Sequence, residues 1–145
     1  METSLSRIKE FFELPGADIR SYSPLTLAYI GDGIYELVIR TILVEQGNCQ
    51  PQKLHKRASA LVKAQTQSAM METLTPLLTD EELAVYRRGR NAKSYTMAKN
   101  ATMGDYRRAT GFEALMGYLY LTQQEPRMLE LIKEGLKAWG EEHGK

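Results

Sequence analysis

The chain has 145 residues, 43% of them hydrophobic and 26% charged, proportions that exclude a disordered or low-complexity protein and suit one domain spanning residues 1–145. The formal net charge is +1, and there is one cysteine, Cys49, with two histidines, His55 and His143; an internal disulfide and a multi-cysteine zinc site are excluded and a histidine-based metal site is disfavoured, so any metal is expected to be held by carboxylates. No stretch approaches the roughly 18 apolar residues of a membrane span, and the N-terminal METSLSRIKEFFELPG is charged where a signal peptide would be apolar, so a cytoplasmic protein with no membrane partner is expected.

Apolar periodicity predicts helices throughout. Leu27, Ile30, Ile34, Leu37, Val38 and Ile42 fall at three-and-four spacing on one buried helix, which Gly47 is placed to end. Pro51 allows a second helix from about Lys53 to Leu74, with Leu54, Ala58, Leu61, Val62, Gln65 and Ala69 along one side. Thr79 with Glu82 forms a capping-box pattern, predicting a short helix from Asp80 to about Arg88 with Gly89 as its stop. Residues from Arg90 to Met103 lack apolar periodicity and read as a long loop. Phe112, Leu115, Met116, Leu119 and Tyr120 mark another helix, and Leu129, Ile132, Leu136 and Trp139 a last one after Glu125-Pro126. No strand pattern or repeat occurs, so the fold class is all-α, with roughly five to seven helices.

The small net charge conceals segregation. Residues 46–71 carry Lys53, Lys56, Arg57 and Lys63 and no acid, and residues 87–108 carry Arg87, Arg88, Arg90, Lys93, Lys99, Arg107 and Arg108 against Asp105 alone. These two segments hold +10 against −9 for the remainder. Such a distribution presents either a basic face for a polyanion or two solvated helix faces and a charged loop. In the second segment the bases alternate with Tyr86, Tyr95 and Tyr106 and with Asn91 and Ser94, a mixture suited to phosphate and sugar more than to base edges.

The candidate chemistry lies in carboxylates. Asp32 and Glu36 fall one turn apart on the polar side of their helix, and Glu113 is embedded between Phe112 and Ala114-Leu115, where a carboxylate needs a partner. Two carboxylates on separate helices can hold a hard divalent ion. Equally, Asp32 can serve as a helix-start residue, Glu36 can pair with Arg40, and Glu113 can join a buried salt bridge. Neither a Walker motif nor a GxGxxG fingerprint occurs, and Cys49, His55 and the serines lie in no dyad or triad pattern. The seven methionines suit core or interface, and Trp139 a core or dimer anchor.

Two of these segments, LAYIGDGIYELVIR (Leu27 to Arg40) and ATGFEALMGYLYL (Ala109 to Leu121), resemble the paired signatures of the ribonuclease III family. LHKRASALVKAQTQ and RRGRNAKS are similar to features of its compact Mini subgroup, and the resemblance extends over about residues 23–139. It implies an all-helical endonuclease domain, working as a homodimer with double-stranded RNA in a valley across both subunits. Larger relatives carry a separate double-stranded RNA-binding domain; here the domain itself is expected to grip RNA through Lys53, Lys56, Arg57, Lys63, Arg87, Arg88, Arg90, Asn91, Lys93, Ser94, Lys99 and Arg107.

By the same resemblance Asp32 and Glu113 are the catalytic pair that serves Mg²⁺, and Glu36 either supports them from behind or pairs with Arg40. Leu25, Ala28 and Thr110 stand where larger relatives have acids, so a thinner metal site is expected. The implied reaction is metal-assisted phosphodiester hydrolysis leaving 5′-phosphate and 3′-hydroxyl ends, and the implied substrate is precursor 23S ribosomal RNA, with a ribosomal protein as a candidate helper. The alternative is a non-catalytic double-stranded RNA-binding or ribosome-assembly module.

Overall fold

Helix boundaries follow the capping chemistry of the sequence. A computed structural model describes residues 4–93 and 102–143, which form seven α-helices and two 3₁₀ turns, with no strand among the described residues. Helix α1 spans Ser4–Phe11, a helix the periodicities did not announce, and buries only Leu5. Helix α2, Pro24–Glu45, begins earlier than its apolar stripe because Ser23 caps it, accepting from the Thr26 N–H, while Pro24 occupies the first turn. It ends at Gln46, and Gly47 follows at φ 149°.

The single helix expected from Lys53 to Leu74 is two: α3, Pro51–Val62, and α4, Ala64–Leu74, with Lys63 extended between them. A helix end leaves its last carbonyls without partners, and three side chains supply them here. Thr66 Oγ1 donates to Ala60 O (2.6 Å), Tyr35 Oη to Leu61 O (2.8 Å) and Gln67 Nε2 to Val62 O (2.9 Å). The break therefore depends on groups from α2 and α4, which no local propensity reveals.

Helix α5, Asp80–Asn91, opens with the expected Thr79/Glu82 capping box but runs through Gly89. Gly89 is not a stop; it is where α5 presses on α6, Met103–Leu121, and a Cβ there would lie 2.9 Å from the Gly111 Cα. Helix α7, Glu125–His143, completes the fold. Its Arg127 pairs with the buried Glu82 (2.9 Å) and also donates to Leu77 O, tying α7 to the start of α5. No described helix is long and apolar enough to cross a membrane.

Helix α6 lies at the centre, with Phe112, Ala114, Leu115, Met116 and Leu119 fully buried. Phe112 meets Tyr35 of α2 edge-on, ring centres 5.0 Å apart. Against α2 the approach is backbone to backbone: a Cβ on Gly31 would run into the Glu113 carbonyl oxygen, and one on Gly117 into that of Leu27. Elsewhere on α2, a Cβ on Gly33 would meet nothing within 4 Å.

Gly117→Ala is expected to destabilise the protein by about 3 kcal/mol or more, since rigid backbone must yield. Gly33→Ala should instead gain roughly 0.5–1 kcal/mol from helix propensity. Denaturant titration of the two variants checks the difference, and equal stabilities would contradict the backbone contact.

Candidate metal centre and nucleic-acid interface

The α2–α6 contact brings the two sequence-picked carboxylates together. Asp32 follows Gly31 in the middle of α2, not at its start, and is exposed. Glu113, whose carbonyl faces Gly31, projects from α6 at the margin of the core and is half-buried. Burial pushes the Glu113 carboxyl up to about 8, with the Asp32 charge and a hydrogen bond with Asp32 acting in the same direction. The Gln67 amide opposes them by donating to Glu113 Oε2 at 3.2 Å.

This donor set suits a hard cation. Two carboxylates that raise each other's energy are relieved by a positive charge between them, and oxygen ligands are what Mg²⁺ selects. Gln67, whose Nε2 meets Glu113, keeps its Oε1 buried without a hydrogen-bond partner. No group of three or more His, Cys, Asp or Glu side chains able to hold a metal occurs among the described residues. Leu25 and Ala28 bring no charge, and the buried Thr110 donates to Tyr106 O at 2.9 Å. Glu36 forms a 2.6 Å ion pair with Arg40 and lines a separate cavity with His55 and Ser59, so it completes no carboxylate cluster.

The basic candidates divide by freedom. Lys53, Lys56 and Lys63 are exposed on α3 and at its break with α4. Arg57, also exposed, is tethered to Gln46 (3.0 Å). Arg87, Arg88, Asn91, Lys93 and Arg107 are exposed, whereas Arg90 lies 5.7 Å from the centre of the Tyr86 ring, a cation–π contact, and Arg108 is held by Ser68 and Asp105. Ser94 and Lys99 lie outside the described residues.

Gln67 is the site residue that sequence reasoning missed. Reading one continuous helix put Gln65 and Ala69 on the buried side; the break at Lys63 shifts the register, so that Gln67, Met70, Met71 and Leu74 turn inward. A glutamine at i, i+3, i+4, i+7 spacing with three apolar residues was the available signal.

A family model described as "Ribonuclease III domain" matches residues 25–124. The chain is 49% identical to the Mini-ribonuclease 3 of Enterococcus faecalis, over 88% of this chain and 98% of that protein. It is 43% identical to the Mini-ribonuclease 3 of Clostridium tetani, over 91% and 93% respectively. Its fold is similar to the crystal structure of a Fusobacterium nucleatum protein, with a TM-score of 0.76 at 33% identity, covering 85% of this chain and 98% of that one.

The Glu113 shift carries a testable sign. Its folded-state value, about 8, lies above the ordinary 4.5, so metal-free folded protein holds a proton that the unfolded chain releases. The contribution of Glu113 to stability is therefore fully present below about pH 4.5 and is lost as pH rises through about 8. Thermal unfolding in EDTA across this window should show that loss, and Glu113→Gln should flatten it; the same slope in both proteins would refute the assignment.

Proposed function

The chain belongs to the ribonuclease III family and is an endoribonuclease of that type; from that premise we propose that it cleaves double-stranded RNA with Mg²⁺ held by Asp32 and Glu113. The observation that carries this reading is the convergence of the two carboxylates across bare backbone, inside the two segments that resemble the family's signatures. A bound Mg²⁺ would supply an activated water and offset the charge developing at phosphorus. Exposed Asp32 meets the solvent from which a phosphodiester arrives, and half-buried Glu113 presents its charge from a fixed helix. No nucleophilic side chain of the protein need form a covalent intermediate, and the products are a 5′-phosphate and a 3′-hydroxyl.

The substrate reading is a duplex in the precursor of 23S ribosomal RNA, processed in the cytoplasm with staggered cuts on the two strands. Support comes from resemblance to the Mini subgroup and from relatives named Mini-ribonuclease 3. Exposed Lys53, Lys56, Lys63, Arg87, Arg88, Lys93 and Arg107 contact phosphates, which supplies affinity without base selection. Choice of site along an RNA then rests on duplex shape or on a helper such as a ribosomal protein.

The active form in this proposal is a homodimer. Leu25, Tyr29 and Leu37 lie exposed on α2, four and then eight residues apart, and an apolar groove of ≈ 700 Å³ between α2 and α7 is lined by Ile34, Val38, Leu129 and Leu136. A second copy covering these faces would place two carboxylate pairs on one duplex.

Two experiments test the proposal. On labelled duplex RNA with Mg²⁺, Asp32→Asn and Glu113→Gln should each lower cleavage roughly 10³-fold or more, the scale of a lost metal centre. Duplex binding should persist, while EDTA should stop the wild type and single-stranded RNA and DNA should stay intact. Normal cutting by either variant would overturn the site. Separately, Tyr29, 82% exposed, replaced by Glu should convert a dimer to monomer in light scattering and lower cleavage; a wild-type monomer would remove the two-subunit arrangement.

A further inference from the structure

Gln67 is fully buried, yet it is a polar residue on the inward face of α4. Its amide nitrogen has two hydrogens and both are used, one on Val62 O at 2.9 Å and one on Glu113 Oε2 at 3.2 Å. This fixes the amide's orientation, because the flipped amide would set its carbonyl oxygen against that of Val62, which can only accept. The same orientation leaves Oε1 buried without a partner. A core position that retains an unmatched oxygen in order to aim two N–H groups is not explained by packing, for methionine would fill the space with no orphaned atom.

From these contacts we infer that Gln67 is a positioning residue for the metal centre: it holds one oxygen of Glu113 from inside the protein and so leaves the other directed toward Asp32 and a divalent cation. The inference rests on the metal reading of Asp32 and Glu113 given above. It explains how a centre with a single pair of carboxylates is kept in order. Where more acids surround an ion they constrain one another; here a neutral donor on a third helix does so. The second hydrogen of the same amide goes to Val62 O at the end of α3, which holds the amide itself in place. Such partners behind a metal ligand typically carry tenfold to hundredfold effects on metal affinity.

The test uses Mn²⁺, followed by electron paramagnetic resonance on RNA-free protein, with Mg²⁺-dependent cleavage alongside. Gln67→Met preserves length and burial but removes both donors, and should weaken Mn²⁺ binding at least tenfold and raise the Mg²⁺ concentration for half-maximal cleavage in parallel. Thr66→Val removes the neighbouring bond to Ala60 O, loosening the same break without touching Glu113; it should leave Mn²⁺ affinity within twofold of wild type. Equal Mn²⁺ affinity in wild type and Gln67→Met, or equal weakening in Gln67→Met and Thr66→Val, would reduce Gln67 to a structural cap and overturn the inference. If Gln67→Met does not fold, the wild-type Gln67 side-chain amide resonances decide: they should move with added Mg²⁺ and stay still in Glu113→Gln, and stillness in wild type overturns the inference. Absence of Mn²⁺ binding in the wild type would instead bring down the metal reading itself, and this inference with it.

Discussion

Contact of bare backbone between α2 and α6 governs the site. Packed helices ordinarily lie 8–10 Å apart because side chains hold them there, and at Gly31 and Gly117 there are none to do so. Asp32, the residue after Gly31, thereby reaches Glu113, whose own carbonyl is the atom Gly31 faces. A glycine within a helix costs roughly 0.5–1 kcal/mol in propensity, so close approach is obtained against the local preference of both helices. Gly89 and Gly111 repeat the device on the other side of α6, admitting α5 and its basic end.

What that approach creates is an electrostatically uneasy arrangement. Glu113 is half-buried beside a second carboxylate, and neither burial nor Asp32 favours its charged form. Gln67 supplies a compensating hydrogen bond and in turn leaves an oxygen unmatched, a penalty of about 1–3 kcal/mol where no water reaches it. Glu113 beside Asp32 is the arrangement that the proposed cation would relieve. The Glu82–Arg127 pair is the contrasting case: its charges are mutually satisfied, the Arg127 hydrogen bond holds the Glu82 carboxyl below the usual range, and it joins two helices without calling for anything further.

The amphipathic stripes and caps made most helices legible in the sequence, and Asp32 and Glu113 were legible because their contexts resemble family signatures. Propensity alone left Asp32 open between a helix start and a ligand; its place in mid-α2 is set by Ser23 and Pro24, upstream of the apolar stripe. The α3–α4 break was hidden because its determinants are Tyr35, Thr66 and Gln67, the first of them 26 residues from its acceptor. Gly89 misled for a related reason. A glycine ends helices when it takes a left-handed turn, but here it serves close packing, and only the partner helix distinguishes the two. Gln67 was lost along with the register.

The way α3 is terminated bears also on how the molecule assembles. Two of its final carbonyls find partners on Thr66 and Gln67, just beyond the break, but Leu61 O finds its partner only when Tyr35 of α2 has docked, so the end of α3 is incomplete while α2 is absent. Completion of this corner is thus coupled to closure of the core around Tyr35. In hydrogen exchange the last turn of α3 would open together with α4 as one unit, and a nascent chain would acquire this corner only once all three helices are available to each other.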